Sequence, residues 1–197
     1  AAIAYSYDRY GYPRAPSSAV PVPGSSKHVA SGQPEVEDKH DTVLHSEAQV
    51  GLPVEAVDTP ALLIDMDALE HNIRNYASTM KGRGCIWRPH CKAVRSPELA
   101  HMLVDAGAVG VTCAKISQAS ALADGGIADI LIANEIVGPA KVAALMDLAG
   151  KVDSLCVAVD DEAGLRAIAD AAMAAGVENL DVLVDVNVGM NRCGIHW

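Results

Sequence analysis

The sequence has few basic residues, and this shortage limits the partners that the protein can have. Fifteen lysines and arginines stand against 25 aspartates and glutamates in 197 residues, which gives a formal net charge of −10. Phosphate-rich surfaces are bound by clusters of basic side chains. We therefore predict that neither nucleic acid nor an anionic membrane is a main partner.

Long apolar runs and disulfide patterns are also missing, and both absences bear on where the protein works. No run approaches the roughly 20 apolar residues that a helix needs to span a bilayer, so the sequence predicts a soluble protein. The five cysteines are an odd number and none of them forms a CxxC pair. This pattern favours reduced thiols over a disulfide framework. We predict a cytoplasmic location, with organelle targeting left open.

Residues 1–50 lack the periodic apolar pattern that marks the rest of the chain. They are dense in proline and serine, as in YPRAPSSAVPVPGSS, and their charges are scattered. Such a composition buries too little apolar surface to offset the conformational entropy of the chain. We predict a disordered leader or linker here. A processed transit peptide fits less well, because the run EVEDKHD is acidic.

From Asp58 onward, short apolar runs alternate with amphipathic segments. The run TPALLID predicts a first short strand, and five further strands follow at intervals of about 20 to 26 residues, which is room for one strand, one helix and two loops. Strands that are apolar on both faces and alternate with helices predict a parallel sheet with helical cover. The five predicted strands are 85–91, 109–114, 129–133, 154–159 and 180–186.

The repeat favours a closed barrel over an open sheet. No GxGxxG follows the first strand, which disfavours a dinucleotide-binding fold. The near-equal spacing is typical of a (β/α)8 barrel. We therefore predict an α/β fold in which residues 58–197 form a partial TIM-type barrel with about five of the eight strands. The remaining strands are expected beyond Trp197.

Working residues of such barrels lie at the carboxyl ends of the strands. Lys92 stands at one of these ends, and its apolar neighbours and Arg88 are expected to disfavour its ammonium form by desolvation and charge repulsion. The neutral amine attacks aldehydes, so Lys92 suits imine chemistry. From position alone, an ordinary surface lysine at the start of a loop is an equally good interpretation.

Several motifs, in order, carry a resemblance to a known family. The chain resembles the D-threonine aldolase and D-serine dehydratase-like group, fold-type III pyridoxal-phosphate (PLP) enzymes with an alanine-racemase-type barrel. The resemblance covers about Asp58 to Trp197. The motifs are TPALLIDMDALEHNI, RPHCKAVRSPELA, GAVGVTCAKISQASALADGGIADILIANEIVGPAK and VLVDVNVGMNRCGI.

The resemblance implies roles for single residues. Lys92 in PHCK matches the lysine that holds PLP covalently, and Arg192 in GMNRCG matches an arginine that approaches the PLP ring. A guanidinium there can hydrogen-bond the phenolic oxygen of the ring. His90 lines the same pocket or is an ordinary packed histidine. Asn134 ends a strand whose carboxyl end faces the cofactor in such barrels.

Two further residues at the rim, Lys115 and Glu135, have a simpler interpretation. They stand after neighbouring predicted strands and carry opposite charges. We therefore expect them to form an ion pair at the rim of the barrel.

The resemblance also implies an activity. It predicts a PLP-dependent lyase that cleaves a D-β-hydroxy amino acid, such as D-threonine, to glycine and an aldehyde. The alternatives are a D-serine or 3-hydroxyaspartate dehydratase, a non-catalytic PLP-binding protein, and an inactive fragment.

Parts of that apparatus are expected outside this chain. We predict no metal ligands within it, whereas the family implies a divalent metal held by a histidine and an acid near the carboxyl terminus. The phosphate-binding loops, the last barrel strands and a β domain are likewise expected beyond Trp197. A homodimer of the full-length protein stays open.

Overall fold

The computed structural model describes residues 51, 53–57 and 59–196. The predicted leader therefore lies outside the described residues. The chain divides into two units between Asp65 and Met66. In the described residues, no helix is long and apolar enough to cross a membrane.

The smaller unit contains the run TPALLID, where a first strand was predicted. Its described residues hold a 3-10 turn at Val54–Ala56, and residues 59–65 form neither helix nor strand. The side chain of Leu62 is almost fully exposed. The predicted first strand is wrong here.

The larger unit is a parallel sheet covered by helices. Its four strands lie in the order β1-β2-β3-β4, and every neighbouring pair is parallel. The elements are α1 (Met66–Gly82), α2 (Pro97–Asp105), β1 (Val111–Cys113), α3 (Ile116–Asp124), β2 (Asp129–Glu135), α4 (Pro139–Ala149), β3 (Ser154–Val159), α5 (Glu162–Ala175) and β4 (Leu180–Val184). This arrangement confirms the predicted α/β class and the partial barrel.

Residues 85–91, predicted as the next strand, run beside β1 without forming a full strand. A single parallel bridge joins His90 to Thr112. The backbone N–H of Thr112 donates to the carbonyl of Pro89 (2.7 Å), and that of Cys91 donates back to Thr112 (2.8 Å). Pro89 has no N–H to donate, which limits the ladder. The segment still brings Lys92 to the edge where β1 ends.

The helices begin and end where local chemistry dictates. The hydroxyl of Ser96 accepts from the N–H of Leu99 ahead of α2, and Pro97 takes the first helical position. The carboxylate of Asp161 accepts from the N–H of Gly164 at the start of α5. Gly176 ends α5 with a φ of 65°, a left-handed conformation that suits glycine.

The core lies between the central strands and the helices. Side chains on both faces of β2 and β3 are buried, as expected for a parallel sheet with helical cover. The largest fully buried aliphatic side chains are Ile130, Leu131, Ile132, Leu145, Leu148, Leu155, Ile168, Val111 and Val157.

An ion pair fastens the amino-terminal edge of this sheet. The guanidinium of Arg88 donates to the carboxylate of Asp129 (2.8 Å) and is only 17% exposed. It also reaches the carbonyls of Val111 and Asp129. Arg88 was expected beside Lys92, and that expectation is wrong. Arg88 points to Asp129, the first residue of β2, whereas Lys92 follows the point where the extended segment leaves the sheet.

All five cysteines are free thiols. Burial raises the pKa of Cys113 to about 12 and, as the largest cause, that of Cys156 to about 11. The thiolate is the nucleophilic form of cysteine. These two thiols therefore stay protonated at neutral pH and act as packing groups.

Candidate active site

The carboxyl ends of the extended segment and of the four strands meet at one edge of the sheet, because parallel neighbours end on the same side. This edge collects most of the polar side chains that the sequence singled out. The residues here are His90, Lys92, Ala114, Lys115, Asn134, Glu135, Asp160, Asp185 and the loop 187–194.

Lys92 stands on a turn that is held from both sides. Its backbone N–H donates to Nδ1 of His90 (3.3 Å), and its carbonyl accepts from Nε of Arg95 (2.9 Å). The N–H of Arg95 closes the turn on the carbonyl of Cys91 (3.0 Å). The Lys92 residue is exposed. The desolvation expected for Lys92 is therefore not found, and the expected neighbour Arg88 is paired with Asp129 at the opposite edge of the sheet.

His90 is half-buried beside Lys92. Burial lowers its pKa, the charge of Lys92 lowers it further, and a backbone hydrogen bond with Thr112 acts in the opposite direction. At neutral pH the imidazole is therefore neutral. Because Nδ1 accepts from Lys92, the neutral ring carries its proton on Nε2.

We expect this histidine to make stability depend on pH. In the unfolded chain His90 takes up a proton near pH 6.5, whereas in the folded chain it does so only at a lower pH. Falling pH therefore stabilises the unfolded state, and the free energy of unfolding drops as the pH passes below about 6.5. Urea unfolding at about pH 7.5 and about pH 5.5 measures this loss, which His90→Asn should reduce.

The matched control is His71→Asn, at an exposed histidine on α1. It should keep the pH dependence of the wild type. If His90→Asn and the wild type lose the same free energy of unfolding, the proposed cause is wrong.

A β-bulge reshapes the carboxyl end of β2. The register with β3 shifts between Ile132 and Glu135. Bulges turn side chains away from the regular alternation. Nδ2 of Asn134 donates to the carbonyl of Ala114 (3.0 Å), which ties the ends of β1 and β2 together. Asn134 is exposed at this edge, and its role in cofactor binding stays a prediction.

Glu135 does not form the predicted ion pair with Lys115. No such pair occurs among the described residues, and Oε1 of Glu135 is buried without a hydrogen-bond partner. Its carboxylate lies instead within 4.8 Å of ligand atoms of Asp185 and Cys193. The bulge gives Glu135 a place beside the end of β4 that alternation along a regular strand does not predict.

The loop after β4 is anchored to two strands. The N–H of Asn187 donates to the carbonyl of Ile195, and the N–H of Ile195 donates to Asp185 (both 2.9 Å). The N–H of Gly194 donates to the carboxylate of Asp160, the residue after β3 (3.1 Å). A Cβ on Gly194 would lie 2.6 Å from the backbone nitrogen of Asn187, so the two passes of the loop require glycine.

This loop carries Arg192 into a group of acids. A hydrogen bond with Cys193 raises the pKa of Arg192, and the carboxylates of Asp185 and Glu135 raise it further. The thiol of Cys193 in turn contacts the carboxylate of Asp185 (3.2 Å). The structure thus places a cation at this edge, and two nearby carboxylates favour its charge.

Three of the side chains near Arg192 form the one group among the described residues that resembles a set of metal ligands. Glu135, Asp185 and Cys193 each offer one ligand atom. Arg192 already brings a positive charge to these acids, so no metal is required to balance them. The absence of metal ligands from this chain stays a prediction.

Sequence reasoning missed the surroundings of Arg192. Asp185 lies just after β4, in a run that was expected to be strand throughout, and Glu135 was assigned to another partner. One signal was available: LDVLVDV contains two acids in an otherwise apolar run. An acid at the carboxyl end of such a run is a candidate for the working edge of the barrel.

The chain is similar in sequence and in structure to known enzymes. A family profile described as "Alanine racemase, N-terminal domain" matches residues 64–197. A D-threonine aldolase from Arthrobacter sp is 42% identical over 148 residues, and a D-threo-3-hydroxyaspartate dehydratase from Delftia sp. is 30% identical over 139 residues. The two matched regions cover 75% and 71% of this chain, respectively. A crystal structure of D-threonine aldolase from Filomicrobium marinum has a TM-score of 0.69 and 44% identity over 71% of this chain.

The chain matches only part of each relative. It spans 38% of the Arthrobacter aldolase, 36% of the Delftia dehydratase and 37% of the Filomicrobium structure. The regions of these relatives outside the match have no counterpart in the described residues.

Proposed function

Because the chain belongs to the alanine racemase N-terminal domain family of PLP-dependent enzymes, we propose that it supplies the lysine-bearing part of a PLP-dependent lyase. The substrate is a D-configured β-hydroxy amino acid, and the products are glycine and an aldehyde. One observation carries the proposal: the fixed turn of Lys92 and the anchored loop of Arg192 share the carboxyl-terminal edge of the sheet. Its similarity to two D-threonine aldolases supports the reaction.

The groups at this edge fit the ring end of PLP. An aldehyde needs an accessible primary amine, and Lys92 is exposed. The electronegative atoms of the ring need a donor, and Arg192 offers an exposed guanidinium. His90, as a neutral imidazole, adds no second full charge beside Lys92.

The roles of the chain's own residues follow from these contacts. When bound, PLP supplies the electron sink for the Cα–Cβ bond that breaks. Lys92 gives the covalent attachment point, and the bonds from His90 and Arg95 fix the direction in which it leaves the turn. Arg192 would donate hydrogen bonds to the ring, and the nearby carboxylates of Asp185 and Glu135 favour its charged form. The base for the β-hydroxyl proton is assigned to the rest of the protein.

A divalent metal and a homodimer belong to the same proposal for the whole protein. One solved relative is named as a dehydratase "in the metal-free form", which supports a metal in this group of enzymes. We assign none of the described residues as ligands of this metal. Removal of the metal with a chelator should then abolish turnover without releasing the label from Lys92.

A product assay tests the proposed reaction. The PLP-loaded protein is given D-threonine, L-threonine or D-threo-3-hydroxyaspartate, and glycine, acetaldehyde and ammonia are measured. We expect glycine and acetaldehyde from D-threonine and neither from L-threonine. The similarity to the Delftia dehydratase favours one alternative. Ammonia without glycine would assign that reaction, and bound PLP without any product would assign a non-catalytic protein.

A further inference from the structure

The loop that carries Arg192 is organised by one side chain, that of Asn187. Its Oδ1 accepts from the backbone N–H groups of Gly189 (3.0 Å) and Asn191 (3.1 Å). Its Nδ2 donates to Oδ1 of Asn191 (3.0 Å). The backbone N–H of Asn187 also donates to the carbonyl of Ile195, where the loop returns. Asn187 therefore holds both the turn and the point where the loop closes.

The residue directly before Arg192 depends on these bonds. Asn191 has a φ of 54°, in the left-handed region that residues other than glycine rarely adopt. Two of the three side-chain bonds of Asn187 end on Asn191. The direction in which Arg192 leaves the backbone is therefore set by the conformation that Asn187 maintains.

The far side of the loop is held independently. Gly194 is bonded to Asp160, and Cys193 contacts Asp185. With Asn187 fixing residue 191 and these contacts fixing residues 193 and 194, Arg192 is the one residue between two anchored points. Such preorganisation matters for a group that must meet a reacting centre within a fraction of an ångström.

We propose that Asn187 is a positioning residue for Arg192. It acts through the backbone of Asn191 and keeps the guanidinium in the orientation that reaches the ring of bound PLP. The inference rests on the proposed function, because it takes PLP to be the group that Arg192 meets.

The test compares Asn187→Ala, Arg192→Ala and the double variant in the PLP-loaded protein. Cofactor affinity is measured by titration with PLP, and the environment of the ring by visible circular dichroism. We expect Asn187→Ala to weaken PLP binding roughly tenfold or more, and to change the dichroism in the same direction as Arg192→Ala. The double variant should bind no more weakly than Arg192→Ala, because both changes remove one function.

Asn179→Ala is the matched control for a merely structural effect. Asn179 also donates two side-chain hydrogen bonds, to the carbonyls of Ala149 (2.9 Å) and Val152 (2.8 Å), but at the amino-terminal edge of the sheet. Its loss should lower stability and leave the dichroism of the cofactor unchanged. If Asn179→Ala changes the dichroism as Asn187→Ala does, the positioning role is refuted.

A second pair of variants decides the question if Asn187→Ala does not fold. Asn191→Ala disfavours the left-handed conformation, whereas Asn191→Gly suits it and keeps the N–H that Oδ1 of Asn187 accepts. We expect weak PLP binding in the first and near-normal binding in the second. Equal binding in the two overturns the inference, as does wild-type affinity in Asn187→Ala or an additive double variant. A wild type that binds no PLP at Lys92 instead refutes the proposed function, and this inference with it.

Discussion

Lys92→Ala is expected to abolish covalent capture of PLP. Incubation with PLP, reduction with borohydride and mass spectrometry of the digest should find the pyridoxyl group mainly on Lys92 in the wild type. Lys92 is exposed on a turn whose backbone is bonded to His90 and Arg95, so its backbone is fixed while its amine is accessible. Turnover of D-threonine should fall roughly a thousandfold or more, as when a covalent catalyst is removed.

Lys115→Ala is the matched control for that experiment. Lys115 is also exposed, and it stands after the neighbouring strand β1. It shares the edge with Lys92 but lies outside the turn formed by the PHCK motif. Its replacement should leave both the label and the activity in place. Labelling spread over several lysines in a folded sample would mean that Lys92 is not the attachment point.

Gly110→Ala is expected to cause a large loss of stability. A Cβ at this buried position would lie 2.4 Å from the guanidinium of Arg88 and 2.4 Å from the backbone oxygen of Asp129, and φ is 151°. Either the Arg88–Asp129 ion pair or the contact between β1 and β2 must open. We expect the free energy of unfolding to fall by about 3–5 kcal/mol, from overpacking together with the damaged pair.

Gly107→Ala separates this clash from the cost of the backbone conformation. Gly107 has a φ of 101°, and a Cβ there would meet nothing within 4 Å. Its replacement should cost only about 1–2 kcal/mol, the usual penalty for a side chain with a left-handed backbone. Urea unfolding of both variants measures the difference. Equal losses of unfolding free energy in the two variants would mean that the structure accommodates a Cβ at residue 110 without disturbing the Arg88–Asp129 ion pair.

The site shows where sequence patterns succeed and where they fail. The positions of His90, Lys92, Asn134 and Arg192 at carboxyl ends of extended segments or in the loops that follow them were available from apolar runs alone, because parallel strands end on one side. The partners of those residues were not. Glu135 was predicted to pair with Lys115 and lies beside Asp185 instead. A bulge in β2 shifts the register of this strand against β3, and the apolar pattern of the sequence does not reveal such a shift.

Arg88 and Lys92 illustrate the same division. They are four residues apart in sequence, and this short separation suggested that their charges repel each other. In the fold, Arg88 pairs with Asp129, which is far away in sequence and lies next to it only because β2 starts at the same edge. Distances between side chains across a sheet depend on register, and register is set by the packing of both faces.

The sequence by itself determined the α/β alternation, the parallel sheet and the family. These features depend on local periodicity and on short motifs, all of which are read within a few neighbouring residues. Only the tertiary structure decided that residues 59–65 form no strand, that Lys92 is exposed, and that Asp185 and Glu135 lie near enough to Arg192 to favour its charge. Those outcomes depend on which segments meet across the sheet, and contacts between distant segments leave no local pattern in the chain.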